Sequence, residues 1–202
     1  MKKILPLFCA TSLTLACQAD PPSAQPTPQP APSKALVAYF SHSGENYGVG
    51  NIQEGNTQKV ANEIARQTNG TLFRIQTVQK YPADYHACTE KAKNEQDTLA
   101  RPALTARVEN MDEYDVIYLG YPIWWGDMPM AVFTFIESYN LSGKTIHPFA
   151  THEGSGMGRT ETSLKKALPK TTVTNGLAIK GHVAQKDASV VQTAVRNWLK
   201  TK

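Results

Sequence analysis

The chain has 202 residues, a formal net charge of +4 and three cysteines. With Lys2, Lys3 and Asp20 set aside, 19 basic residues stand against 16 acidic ones, and no basic run is longer than Lys165-Lys166. That balance gives no nucleic-acid footprint, and Cys88, the only cysteine beyond position 17, has no partner for an intramolecular disulfide.

Residues 1–16 read as an export signal: Lys2 and Lys3 precede an apolar stretch too short to span a bilayer as a helix. Leu13-Thr14-Leu15-Ala16-Cys17 resembles a bacterial lipobox, with Cys17 as the lipidated residue; ordinary cleavage after Ala16 or Ala19 is the alternative. Residues 17–33 carry Pro21, Pro22, Pro26, Pro28, Pro30 and Pro32 among small polar residues, the composition of a stiff, extended tether. Residues 34–202 make one domain's length of chain. The expected location is therefore outside the cytoplasm, on the periplasmic or outer membrane face, with a lipid anchor as the membrane contact.

Within the domain, strand and helix alternate. Ala35–Phe40 is an apolar run of strand length, and Val60, Ala61, Ile64 and Ala65 keep helical spacing over about 57–68 before the Asn69-Gly70 stop. Thr71–Ile75 reads as a second strand. Asp84 is an expected N-cap for a polar helix over 85–99, which ends before Arg101-Pro102. Residues 103–110 read as either a short strand or a loop. Val116–Leu119 is continuously apolar and so a central strand; Pro129 opens a helix to about Ser138. Lys144–Ala150 is a fourth strand, 160–167 a helix, and 171–179 a fifth strand interrupted by Asn175-Gly176. Asp187 caps a last helix bearing Val190, Val191, Ala194, Val195 and Trp198. Such alternation predicts a parallel sheet with helices on both faces, whose ligands bind beyond the carboxyl ends of the strands.

Three unusual loops follow strands and converge on that rim. The first, Ser41-His42-Ser43-Gly44-Glu45-Asn46, resumes after a detour at Gly55-Asn56-Thr57 and enters a helix. Hydroxyls and backbone N–H groups at a helix start suit an anion. The second, Gly120-Tyr121-Pro122-Ile123-Trp124-Trp125-Gly126-Asp127, sets two indoles side by side; at least one is expected at the rim, where a flat ring stacks on it. The third, Thr151-His152-Glu153-Gly154-Ser155-Gly156-Met157-Gly158, has glycines at alternate positions whose N–H groups are expected to donate to a developing anion. His152 reads as structural more readily than as a proton relay, and Cys88 as a small buried apolar group. Phosphate-loop, dinucleotide and nucleophile-elbow patterns are absent, and no paired cysteines or His-x-x-x-His run suggests a metal.

These stretches, with Ala38–Phe40 before them and Tyr81-Pro82-Ala83-Asp84-Tyr85 between them, resemble the flavodoxin-like family over about 36–199, in the branch of bacterial flavodoxins and flavodoxin-like NAD(P)H or quinone oxidoreductases. The resemblance implies an α/β three-layer sandwich, a five-stranded parallel sheet in order 2-1-3-4-5, and non-covalent FMN at the rim. It implies phosphate-loop hydroxyls at Ser41, Ser43 and Thr57 with Asn56 beside them, Asn46, Asn56 and Thr57 being alternatives for the phosphate contact, and further cofactor contacts from His42 and Gly44. Pro122, Ile123, Trp124 and Trp125 would flank the isoalloxazine ring, with Thr151, His152, Gly154, Ser155 and Gly156 at its pyrimidine edge. One departure stands out: Glu45 to Glu54 splits a phosphate turn that short flavodoxins run directly into the helix. The implied function is redox transfer through the flavin to a quinone-like or protein acceptor. The rivals are a pure electron carrier, against which the mild positive charge counts, and a binding module without FMN.

Overall fold

The first strand, β1 (Lys34–Phe40), is apolar on both sides: Leu36, Ala38 and Phe40 enter one core, Val37 and Tyr39 the other. A strand buried on both faces belongs inside a helix-covered parallel sheet. The computed structural model describes Met1 and residues 34–202; the expected export signal, Cys17 and the Pro-rich tether lie outside the described residues. β1 is flanked by β4 (Thr71–Ile75) and β5 (Tyr114–Pro122), and β6 (Thr145–His152) lies beyond β5. The next position is shared by β7 (Thr172–Val173), which pairs with the start of β6, and β8 (Leu177–Lys180), which pairs with its end. All these pairings are parallel.

Counted by position along the core, the order is 2-1-3-4-5, as the resemblance implies. It differs in its split fifth strand, broken at Asn175-Gly176, and in a separate hairpin of β2 (Gly44–Asn46) and β3 (Gly50–Ile52). On one face, α1 (Asn56–Thr68), α5 (Gly181–Lys186) and α6 (Ala188–Leu199) bury Val60, Ile64, Ala184, Val191 and Val195 against Val37, Tyr118 and Phe149. On the other, α3 (Met130–Glu137) and α4 (Thr160–Ala167) bury Ala131, Phe135, Ile136 and Leu164 against Leu36, Ile117 and Leu119. This is the three-layer arrangement.

The expected caps are present: Asp84 accepts from Ala87 N at the head of α2 (Tyr85–Asp97), and Asp187 accepts from Val190 N at the head of α6. Three boundaries are corrected. α2 stops at Asp97, and Leu99 turns left-handed beyond it. β5 continues through Gly120-Tyr121-Pro122 because its ladder with β6 extends to Pro122↔Thr151, and β6 continues through Thr151-His152 because its ladder with β8 extends to His152↔Lys180. Residues 103–110 contribute one bridge, Thr77↔Leu104. The short α5 and the hairpin have no counterpart in the predicted elements. Among the described residues, no helix is long and apolar enough to cross a membrane.

Candidate functional site

The carboxyl ends of β1, β5 and β6 open on a cleft of about 290 Å³. Its first wall is built where β1 meets α1. Gly55, which precedes α1, has no side chain to cap the helix; Ser41 Oγ instead accepts from Gln58 N at 3.1 Å. The approach is tight: a Cβ on Gly55 would stand 2.3 Å from both His42 O and Ser41 Oγ. Thr57 Oγ1 lies 2.8 Å from Thr151 Oγ1, a buried hydroxyl pair tying the helix start to the end of β6.

Side-chain alternation past the end of β1 divides the first loop. His42 lines both this cleft and a second one of about 370 Å³ across the segment, whereas Ser41 and Ser43 line only the second, with Arg74, Lys80 and Tyr81. Asn46 and Asn56 line the first cleft; Gly44 does not, lying instead against the Ala83 backbone. Asn56 Oδ1 accepts from Gln185 Nε2 at 2.8 Å, and Gln185 Nε2 also donates to Glu54 O. Burial lowers the His42 pKa, and its Nε2 is buried with no hydrogen-bond partner among the described residues.

The second wall is aromatic. Trp124 and Asp127 exchange both backbone hydrogen bonds, at 2.8 and 3.0 Å, around Trp125 (φ 50°) and Gly126 (φ 77°). Left-handed values at both central positions belong to a type I′ turn. The turn gives the two indoles different partners. Trp124 packs edge-on against Phe40, Tyr81 and His42; Trp125 is 50% exposed, with Nε1 donating to Thr89 O at 2.9 Å. Both line the cleft, as do Pro122 and Ile123. The buried Asp127 carboxylate holds the turn to the head of α4, accepting from Arg159 Nε at 2.9 Å and Ser163 Oγ at 2.7 Å.

The third wall departs from the sequence reading. Gly154 N and Gly156 N do not point to an open anion position; they donate to His152 Nδ1 at 2.9 and 3.1 Å. Two amide donors at Nδ1 place the ring proton on Nε2. Burial, the largest influence, lowers the pKa of His152; Glu153 opposes this and Lys180 reinforces it. The imidazole is thus neutral at pH 7, a fixed hydrogen-bond donor beside Thr151 in the cleft wall. Ser155, Gly154 and Gly156 lie outside the lining of the cleft.

Several lining residues escaped the sequence reading: Glu45, Tyr47, Tyr85, Cys88, Thr89 and Ala92. Tyr85, Cys88, Thr89 and Ala92 lie on α2, reached only by packing of that helix beside the rim. Gly48 and Gly50 in the detour, both left-handed, are the signal that marks its hairpin. Cys88 is buried, as expected, and burial pushes its thiol up to about 11, with Glu95 adding to the shift. Among the described residues, no cluster of three or more histidine, cysteine or acidic residues could hold a metal.

A family model described as flavodoxin matches residues 34–201. No curated protein matches the chain. Among solved structures, a candidate flavoprotein from Bacteroides eggerthii is 34% identical, with a TM-score of 0.68, over 84% of this chain and 97% of the other. Another from Bacteroides uniformis is 34% identical, with a TM-score of 0.67, over 83% and 98%. A Lactobacillus acidophilus flavoprotein in complex with FMN shares the fold at 20% identity, with a TM-score of 0.59, over 78% and 99%.

Proposed function

The chain belongs to the flavodoxin family, and from that premise we propose that its rim cleft works as the FMN site of an oxidoreductase outside the cytoplasm. FMN is accordingly the cofactor. The observation that carries the reading is the convergence of three strand-end loops on one cleft, aromatic at one bank and lined by amides, a hydroxyl and a neutral imidazole at the other. A planar ring carrying polar edge atoms matches that division.

The residues fit the group in three respects. Trp124 and Trp125 offer aromatic surface for the ring. Asn46, Asn56, Thr151 and His152 offer polar atoms, with the His152 proton held at Nε2. The partnerless Nε2 of His42 lies buried beside them. Among the described residues no lysine or arginine lines this cleft, so the phosphate would rest on the positive end of α1 beside Asn56, a helix start that Ser41 holds through Gln58 N. The chemistry that FMN supplies when bound is acceptance and release of electrons, singly or as hydride. The chain's own part is to hold the ring between its aromatic and polar banks and to keep a proton donor at its edge.

The acceptor would be a quinone-like small molecule or a redox protein. Lys2-Lys3 with the following apolar run, the lipobox-like 13–17 and the Pro-rich 18–33 support export and anchoring through Cys17. The test is direct. The purified protein should be yellow, or turn yellow with added FMN, and stopped-flow mixing with NADH, NADPH and a quinone should show flavin reduction and reoxidation. A protein that stays colourless with excess FMN sinks the reading. The mass of the mature N-terminus checks Cys17; a free N-terminus beyond residue 17 rules out its lipidation.

A further inference from the structure

The detour from Glu45 to Gly55 carries the β2–β3 hairpin. Its base is fixed to the turn before α2. Glu45 N donates to Ala83 O at 2.7 Å, Glu45 Oε2 accepts from Tyr85 N at 3.1 Å, and a Cβ on Gly44 would lie 2.7 Å from Ala83 O. Its tip rests on the opposite bank. A Cβ on Gly48 would stand 3.1 Å from Glu153 Cδ, and Glu153 is itself held by His182 N and Nδ1, each at 2.7 Å. Between these anchors, Glu45, Asn46 and Tyr47 line the cleft that Trp124 and Trp125 line from elsewhere on the rim.

Tyr47 is 68% exposed although it sits in that lining, and its one aromatic neighbour among the described residues is Tyr85, tilted by 35° at 6.3 Å. An aromatic ring held at a cleft mouth with most of its surface in water gains by covering a flat ligand. The anchors make the hairpin a bridge from one bank to the other.

We propose that the hairpin is a strap across the cofactor cleft, with Tyr47 as its ring-contacting residue, and that it sets how slowly FMN leaves. This rests on the FMN reading above. Because Tyr47 acts on the ring and not on the phosphate, its removal weakens riboflavin and FMN alike. Loss of the Ser41 hydroxyl, at the helix start, weakens FMN more than riboflavin.

The experiment follows flavin fluorescence as FMN-loaded full-length protein is diluted, and repeats equilibrium titrations with FMN and riboflavin. Tyr47→Ala should speed FMN release about tenfold, the loss of one aromatic contact, and weaken both flavins by a similar factor. Tyr47→Phe should stay within about twofold of the parent. Glu45→Gln, which weakens the hairpin base without touching the aromatic ring, should also speed release. Release from Tyr47→Ala within about twofold of the parent, with an unchanged far-ultraviolet spectrum, overturns the strap while leaving the FMN site standing. If the parent protein takes up no flavin, both readings fall. If Tyr47→Ala weakens FMN but not riboflavin, the residue serves the phosphate and the ring contact is refuted.

Discussion

Trp125 shows what a single residue reveals once its backbone is known. Its φ of 50° is left-handed, a conformation that costs a non-glycine residue roughly 1–2 kcal/mol. The indole recovers part of this through the hydrogen bond to Thr89 O, a contribution of about 1 kcal/mol. Glycine would relieve the strain and lose the bond, so Trp125→Gly should keep a thermal midpoint close to the parent's. Its FMN affinity should fall about tenfold, since the half-exposed ring would be gone from the cleft wall. Circular dichroism melting and a flavin titration check the two halves separately; unchanged affinity would remove Trp125 from the site. A strained tryptophan with no binding role would be hard to explain, because strain of this kind persists where surrounding structure has a use for it.

At the scale of elements, the junction of β1 and α1 couples stability to binding. Ser41, on the strand's exit, does the capping that Gly55 cannot. Ser41→Ala should therefore destabilise the fold by about 1 kcal/mol in urea denaturation, besides its effect on FMN. Gly55→Ala should destabilise by about 1–3 kcal/mol, because its Cβ meets backbone and the capping hydroxyl at 2.3 Å. A Gly55→Ala protein as stable as the parent would mean that the loop 41–43 yields easily. The same junction explains what the sequence could and could not say about the phosphate loop. Ser41, Gly55 and Thr57 were legible as a turn feeding a helix. That Ser41 caps α1 from another element and Thr57 bonds to Thr151 depends on contacts across 17 and 94 positions of chain, which no local pattern encodes.

Over the whole molecule, three histidines, His147 buried and His42 and His152 half-buried, are held toward the neutral form. His147 is the clearest: burial, with a smaller effect of Lys202, lowers it to about 4 from 6.5. It packs on Tyr118 and Trp198, and its Nδ1 lies 2.8 Å from Thr174 Oγ1. Burial also lowers His42 and His152. Above pH 6.5 these groups are neutral in both folded and unfolded chains and cost nothing. As pH falls below 6.5, the unfolded chain takes up protons that the folded chain refuses, so stability drops until the folded pKa is reached. The urea midpoint should fall between pH 7 and pH 4.5, and His147→Gln should flatten part of that fall. A midpoint insensitive to pH over this range would contradict the burial of these rings.

The sequence by itself determined the layered α/β fold, because continuous apolar runs of strand length and period-3.6 stripes report which faces are buried before any partner is known. It determined that the special loops follow β1, β5 and β6, and the caps at Asp84 and Asp187, since these are local matters of turn chemistry. Only the tertiary structure decided the rest. It spent the Gly154 and Gly156 amides on His152, carried Ser41 and Ser43 toward a second cleft, and brought α2 to the rim with Tyr85 and Cys88. It also turned the Glu45–Gly55 detour into a hairpin fixed at Ala83 and resting on Glu153. Each of these outcomes is set by distances between residues far apart in the chain, and such distances exist only once the sheet has closed and its helices have packed.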